Sequence, residues 1–103
     1  LGIGCETLDA LAAPGTPPTR GRRDVVLGTD TSYSLGFWKP FDGFEFGSEA
    51  AFGALGAGGS FAFADPDREL GFAYTPSRMG THVWDDPREV RLRRAVDACL
   101  KER

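Results

Sequence analysis

The sequence contains no asparagine, one histidine and only two cysteines among its 103 residues. The cysteines, Cys5 and Cys99, stand at opposite ends of the chain and do not form a disulfide framework. We therefore expect free thiols and a cytoplasmic location. No Gly-x-Ser-x-Gly sequence accompanies the single histidine, His82, so no Ser-His-Asp site of the α/β-hydrolase type is predicted.

Long apolar runs and an excess of basic residues are also missing. No run approaches the roughly 20 apolar residues of a membrane-spanning helix. Twelve Lys and Arg against 15 Asp and Glu give a net charge of −3. The basic face that nucleic acids and anionic membranes require is therefore not expected, and we predict neither kind of partner.

Glycine and proline are abundant, with 14 and seven residues respectively. This composition favours turns and short strands over a helical bundle. Hydrophobic residues make up 41% and charged residues 26% of the chain, which is typical of a globular protein. A chain of this length forms one small domain.

The first third of the chain predicts one helix, one loop and one strand. Residues 5–13 have helical character and end at Pro14-Gly15, whereas residues 14–24 read as a loop. Tyr33–Trp38 alternates large and small side chains, which predicts a single strand.

Residues 58–75 predict a β-hairpin. Phe61 and Phe63 alternate with Ala62 and Ala64, and a turn rich in Asp and Pro separates this segment from a second alternating one. The small residues on one face predict that something packs closely there.

The last segment, residues 86–103, predicts a helix. Asp86 stands at the N-cap position, followed by Pro87 and, at the third helical position, Glu89. Four residues behind them form the predicted inward-facing stripe: Leu92, Ala95, Val96 and Cys99. The predicted fold class is α+β, in which a C-terminal helix packs on an antiparallel sheet made of the hairpin and at least one further strand.

Three patterns suggest ligand sites, but each favours a structural interpretation. The glycine-rich run 53–60 fits neither the dinucleotide nor the P-loop spacing, so it predicts close backbone packing. The acidic residues of 65–69 are interrupted by Pro66 and predict a turn instead of a calcium loop. The arginines of residues 20–23 and 88–94 are expected on solvated surfaces. We predict no metal and no cofactor.

The stretch FGALGAGGSFAFADPDRELGFAYTPSRMG, residues 52–80, resembles the third conserved region of the β-lactamase-related serine hydrolases. It is most similar to the esterase-like branch of the fold shared by class C β-lactamases and D,D-peptidases. VLG and LGFW within Val26–Trp38, and DDPRE at the start of the last helix, extend the resemblance over nearly the whole chain. It implies a partial β-lactamase-like fold, with a sheet flanked by N- and C-terminal helices.

The resemblance implies acyl transfer through a serine of a Ser-x-x-Lys motif, assisted by a Tyr-x-Asn-type loop. The residues three positions before Lys39 and Lys101 are Gly36 and Ala98, and the chain has no asparagine. Because two of the three motifs are absent and the chain opens with Leu1, we expect residues 1–103 to be a single C-terminal fragment. Its partner would be the missing N-terminal portion, and the fragment alone would be inactive.

The third motif is present in altered form as Ala54-Leu55-Gly56, with alanine at the position of a lysine or histidine. The resemblance implies that the backbone amide of Ala57 donates to the oxyanion. Ala54, Leu55, Gly56 and Gly58 would then line the site for a small ester or amide substrate.

A second interpretation is a non-catalytic binding or assembly module that retains this part of the fold. A Ser-x-x-Lys motif upstream in the parent gene would favour the hydrolase. In either case the isolated chain is expected to form a homo-oligomer, because an aromatic sheet face and an unpaired edge promote association.

Overall fold

A computed structural model describes residues 2–102, so Leu1 and Arg103 at the ends of the predicted range 1–103 lie outside the described residues. The chain forms an α+β fold, as predicted. The elements in chain order are α1 (Cys5–Ala12), β1 (Arg23–Asp24), β2 (Thr29–Asp30), β3 (Tyr33–Ser34), β4 (Phe37–Trp38), β5 (Phe52–Gly56), β6 (Ser60–Asp65), a 3₁₀ turn (Pro66–Arg68), β7 (Leu70–Tyr74) and α2 (Pro87–Lys101).

The five strands β3 to β7 form one antiparallel sheet in chain order, while β1 and β2 pair separately. The long hairpin of β6 and β7 falls within the predicted range 58–75. Its four-residue connection, residues 66–69, closes through a 3₁₀ turn that starts at Pro66. The proline presets the first backbone angle of this turn and so fixes the register of the hairpin.

The prediction of one strand over Tyr33–Trp38 was wrong. These residues form a tight hairpin in which Tyr33 pairs with Trp38. Leu35 and Gly36 make the turn with positive φ values of 48° and 84°, and such a turn matches the twist of the flanking strands. A similar small hairpin begins at Arg23, inside the segment predicted as the loop 14–24.

An aromatic cluster fills the space between the sheet and α2. Its buried members are Phe44, Phe46, Ala51, Phe61 and Phe63. The Phe46 and Phe61 rings are 5.0 Å apart, and those of Phe61 and Phe63 are 5.4 Å apart. These separations lie within the range of favourable aromatic pairs.

Helix α2 packs on this cluster through charged residues. The prediction that its apolar stripe faces inward was therefore wrong. Arg93 and Glu89 are buried, whereas Leu92 is 51% exposed and Cys99 is also exposed. The Arg93 guanidinium lies 5.6 Å from the Phe44 ring centre and donates to Glu89 Oε1 at 2.7 Å. It also donates to the backbone oxygen of Glu45 and to Asp85. These partners satisfy the buried charge, so the arginine replaces aliphatic packing.

Lys39 joins α1 to the sheet. Its side chain is 2% exposed, and its Nζ donates to the backbone oxygens of Leu11 and Ala12, each at 3.1 Å. These carbonyls belong to the last turn of α1, where they have no acceptor role within the helix. Burial lowers the pKa of Lys39. Within residues 2–102, no helix is both long and apolar enough to cross a membrane.

Candidate functional site

On the sheet face opposite the aromatic cluster, Phe52 packs against Phe37. Next to them, small residues of β5, β6 and β7 leave an area open to solvent. Ala54, Ala62 and Ala73 stand directly opposite one another on β5, β6 and β7, and all three are exposed. We call this face, from Ala54 to Ala73, the bare face. A shallow depression of about 280 Å³ lies over it.

One end of the bare face carries hydroxyl groups. Gly56 of β5 pairs with Ser60 of β6. Thr75 comes directly after the end of β7, the strand that neighbours β6. The Ser60 hydroxyl occupies the space beside Gly56, so a Cβ atom at position 56 would collide with it. Ser60 and Thr75 both line the depression.

The turn Ala57–Gly59, here called the glycine turn, joins β5 to β6. Gly58 and Gly59 have φ values of 98° and 115°, a region that residues with a Cβ atom rarely adopt. Ala57 is exposed. Among residues 2–102, its N–H has no hydrogen-bond acceptor, so this amide is free to donate to a ligand.

A second loop holds the glycine turn from outside. Gly80 N–H donates to Gly58 O at 2.7 Å, and Gly58 N–H donates to His82 O at 3.2 Å. A Cβ atom at Gly58 would collide with the Met79 side chain. Gly58, which was predicted to line the substrate site, makes room for the Met79 side chain in the structure.

Asp86 and Arg88 complete this arrangement. Asp86 is 3% exposed and accepts from the Arg88 backbone amide at 3.0 Å, as predicted for an N-cap. The Arg88 guanidinium donates twice to the same carboxylate, at 2.9 and 2.8 Å. These bonds lower the pKa of Asp86 to about 2. Arg88 also donates to Gly58 O at 3.3 Å and to Arg78 O at 2.8 Å.

The residues of the altered third motif, Ala54-Leu55-Gly56, do not all lie on the same side of the sheet. Ala54 lies on the bare face, and Gly56 lies at its hydroxyl-bearing end. The Leu55 side chain packs against the aromatic cluster, because successive residues of a strand point to opposite sides. Only the main chain of Leu55 is therefore left to face a substrate.

Asp65, the last residue of β6, holds a neighbouring loop. Asp65 is fully buried. It accepts from the Ser48 backbone amide and hydroxyl, each at 2.7 Å, and Arg68 lies 3.4 Å from it. In the described part of the chain, no group of three or more His, Cys, Asp or Glu side chains is placed to hold a metal ion.

Two contacts made by arginines of α2 were not predicted from the sequence. The arginines of α2 were assigned to a solvated face, yet Arg93 is buried against the cluster and Arg88 reaches the glycine turn. The N-cap pattern located Asp86 correctly. Nothing local predicts that Gly58 and Gly80 lie beside it, because the three meet only after the chain has folded.

Comparison with known proteins places this fold. The chain aligns over 93% of its length with a novel penicillin-binding protein homolog from Caulobacter crescentus, at 37% identity and a TM-score of 0.78. It aligns over 97% of its length with EstA from Arthrobacter nitroguajacolicus Rue61a, at 31% identity and a TM-score of 0.78. The chain spans 25% and 26% of these two proteins. No model of a protein family matches the chain, and no curated protein does.

Proposed function

We propose that this chain, which has a partial β-lactamase-like serine hydrolase fold, is the C-terminal part of an enzyme that cleaves small esters or amides. Its contribution would be the third-motif strand β5 and one oxyanion-hole donor. The observation that carries the proposal is the Ala57 amide. Ala57 is an exposed residue at the edge of the bare face, it follows the Ala54–Gly56 motif, and its N–H has no acceptor among residues 2–102.

The proposed mechanism is acyl transfer. A serine hydroxyl supplied by the rest of the parent attacks the substrate carbonyl, and a base of that same portion takes its proton. The carbonyl oxygen then becomes an oxyanion, to which the Ala57 N–H donates. An amide positioned in advance stabilises this charge better than water does, because it needs no reorganisation during the reaction. Collapse expels the alcohol or amine, and water hydrolyses the acyl-enzyme.

The glycines and alanines of this region suit that role. A substrate carbonyl has to approach the β5 backbone closely, and large side chains would prevent it. Gly56, Ala54 and Ala62 keep the depression shallow and leave the main chain accessible. The Ser60 hydroxyl is the polar group best placed to contact the substrate there.

The chain alone is expected to be inactive, because it has neither a Ser-x-x-Lys motif nor a Tyr-x-Asn sequence. Three surfaces are available for the remainder of the parent: the bare face, the outer edge of β7, and the stripe of α2 that contains Leu92 and Cys99. The outer edge of β7 has no partner strand among residues 2–102. When the chain is isolated, these surfaces favour a homo-oligomer. A sharp monomer at tens of micromolar in analytical ultracentrifugation would contradict this.

Cys5 and Cys99 are both free and exposed. We extend the proposal to a reducing compartment, the cytoplasm, because exposed free thiols survive best there.

The alternative is a binding or assembly module without chemistry. It is favoured by Ala54, which puts an uncharged methyl group where the resembling hydrolases carry lysine or histidine. Among residues 2–102, no ionisable side chain other than Tyr74 lines the depression over the bare face.

The experiment that separates the two is labelling in the native host. The natural protein is captured with an antibody to this chain, its intact mass is compared with 11.1 kDa, and it is treated with a fluorophosphonate probe. A larger species labelled on a serine is expected. A native species of 11.1 kDa that neither labels nor hydrolyses p-nitrophenyl acetate would overturn the hydrolase proposal in favour of the module.

A further inference from the structure

We propose that Asp86 and Arg88 are positioning residues that hold the glycine turn and thereby fix the Ala57 amide in its place beside the substrate. We call these two residues the clamp. Its catalytic role rests on the proposed function, whereas its effect on the turn does not.

The glycine turn has little internal support. Its one internal hydrogen bond, from Gly59 N–H to Gly56 O, is long at 3.4 Å. Two consecutive glycines at positive φ make it conformationally permissive, since glycine has the widest backbone freedom of all residues. A turn of this kind keeps one geometry only when its surroundings impose it.

Those surroundings are supplied by the segment between β7 and α2. Gly58 O accepts from both Gly80 N–H and Arg88 Nη2, and Gly58 N–H donates to His82 O. Both polar groups of the Gly58 backbone are therefore bound by that segment. Ala57, the preceding residue, has no such tie, so its orientation follows from how firmly Gly58 is held.

Arg88 is itself held rigidly. Its guanidinium donates twice to Asp86 and once to Arg78 O. These three hydrogen bonds hold the guanidinium in the position from which it also donates to Gly58 O. A planar guanidinium can make these bonds together, whereas a lysine ammonium offers no comparable fork. Both residues of the clamp lie at the start of α2. The N-cap hydrogen bond from the Arg88 amide to Asp86 stabilises this first turn of the helix.

The glycines around the clamp are matched to it. A Cβ atom at Gly59 would come 2.7 Å from Asp86 Oδ2, and one at Gly80 would come 2.6 Å from the same oxygen. Any larger residue at either position would push the carboxylate away. Glycine is thus needed here to admit the clamp as well as to shape the turn.

The clamp acts by position and adds no net charge near the reacting atoms. Asp86 and Arg88 carry opposite charges and neutralise each other at a separation of 2.8 Å. Removing both partners together leaves the net charge unchanged, so the double variant Arg88→Met with Asp86→Asn should lower kcat without shifting the pH profile of the reaction. A change in the charge of the active site would instead move that profile.

The first test measures the turn in the 103-residue chain by amide hydrogen exchange with NMR detection. Arg88→Met is compared with Arg91→Met, which removes an exposed arginine of the same helix. We expect the Gly58 and Gly80 amides to exchange about tenfold faster in Arg88→Met, because each is bonded across the turn, and to be unchanged in Arg91→Met. Asp86→Asn, which retains an N-cap oxygen, should give a smaller increase. Unchanged exchange in both clamp variants would overturn the clamp.

The second test measures catalysis in the parent hydrolase with the same variants and p-nitrophenyl acetate. Removing an oxyanion donor costs roughly 10²–10³ in kcat. A displaced donor should retain part of that effect, so we expect kcat to fall about 10- to 100-fold in Arg88→Met with KM changed less than about threefold. Inhibition by a trifluoromethyl ketone, which forms a tetrahedral oxyanion on the serine, should weaken in parallel.

The outcomes separate the clamp from the proposed function. Faster exchange with an unchanged kcat would overturn the positioning role. A fall in kcat with equal loss of ketone inhibition, together with an unchanged pH profile in the charge-neutral double variant, would support it. A parent without any hydrolase activity would refute the proposed function, and with it the catalytic role, while the exchange result would still decide whether the clamp holds the turn.

Discussion

The two faces of the five-stranded sheet are built from the same strands and differ in almost every physical respect. On β6, Phe61 and Phe63 face the aromatic cluster and are buried, whereas Ala62 between them is exposed on the bare face. A sheet buried on one side shows this alternation of large and small residues. The covered face provides most of the packing, while the bare face provides little and is free to serve as a binding surface.

The covered face also differs from an ordinary apolar core. The Arg93 guanidinium lies over the Phe44 and Phe61 rings and donates to the buried Glu89 carboxylate. Helix α2 is therefore oriented by hydrogen bonds of defined direction, which fix its rotation about its own axis. Its first residues carry the clamp, so the covered face sets the geometry that the bare face presents.

The largest expected loss of stability comes from replacing Arg93, whose hydrogen bonds orient α2. Arg93→Met leaves Glu89 buried without its partner, and breaking a buried ion pair in this way costs about 3–5 kcal/mol of unfolding free energy. Urea denaturation of the variant should show this loss. Arg91→Met, an exposed change on the same helix, should stay within about 0.5 kcal/mol of the original chain. A loss below about 1 kcal/mol for Arg93→Met would show that the aromatic cluster alone positions α2.

The next effect concerns how closely the strands approach each other. Gly53 on β5 faces the Ala62 backbone oxygen, with which a Cβ atom would collide, and the Phe63 Cβ atom would lie 2.8 Å away. Gly53→Ala should therefore cost about 1–3 kcal/mol through overpacking, measured by urea denaturation.

Gly71 on β7 is the matched control for Gly53. A Cβ atom there would meet nothing within 4 Å, and its φ is not in the left-handed region. Gly71→Ala should leave the chain unchanged or stabilise it by up to about 1 kcal/mol, because alanine restricts the unfolded chain. Equal losses for both variants would mean that local strand propensity, and not strand packing, limits this sheet.

Local patterns were sufficient to predict the elements near the C-terminal end. The β6–β7 hairpin follows from alternation and from the Pro66 turn, and the start of α2 follows from Asp86 and Pro87. The hairpin at Tyr33–Trp38 was missed because alternation is the same in one strand as in two short strands. Only the positive φ values of Leu35 and Gly36 distinguish them.

The inward face of α2 could not be predicted from the helix alone. Leu92, Ala95 and Cys99 share one side at helical spacing, which favours burial. Arg93 is buried instead because its acceptors at Glu45 and Asp85, and the Phe44 ring, come from outside the helix. The candidate site likewise has one part that local sequence predicts and one part that it does not. The Ala54–Gly58 motif is visible in the sequence, whereas the clamp depends on a tertiary meeting of distant segments.

A smaller effect, dependent on pH, tests the clamp through stability. The Arg88 guanidinium lowers the pKa of Asp86 from 3.8 to about 2 in the folded chain. A carboxyl group with a lowered folded pKa adds stability that is complete above its unfolded pKa and is lost as the pH falls through the folded value. Thermal unfolding of the original chain and Asp86→Asn should therefore differ by a constant amount from pH 5 to 7. The difference should shrink between about pH 4 and pH 2. A difference that instead changes near pH 7 would point to a different titrating group and would contradict the assignment.

The smallest change in the stability of the isolated chain is expected from a substitution on the bare face. The same substitution is informative because its effect in the isolated chain can be compared with its effect in the parent hydrolase. Ala62→Leu adds a side chain that projects into solvent, so it should change the unfolding free energy of the 103-residue chain by no more than about 0.5 kcal/mol. In the parent hydrolase the same leucine would have to fit against another segment or the substrate. Overpacking there should cost about 1–3 kcal/mol or lower kcat/KM. If stability and activity are as insensitive in the parent as in the isolated chain, the bare face remains solvated, and the proposal that it meets the rest of the enzyme fails.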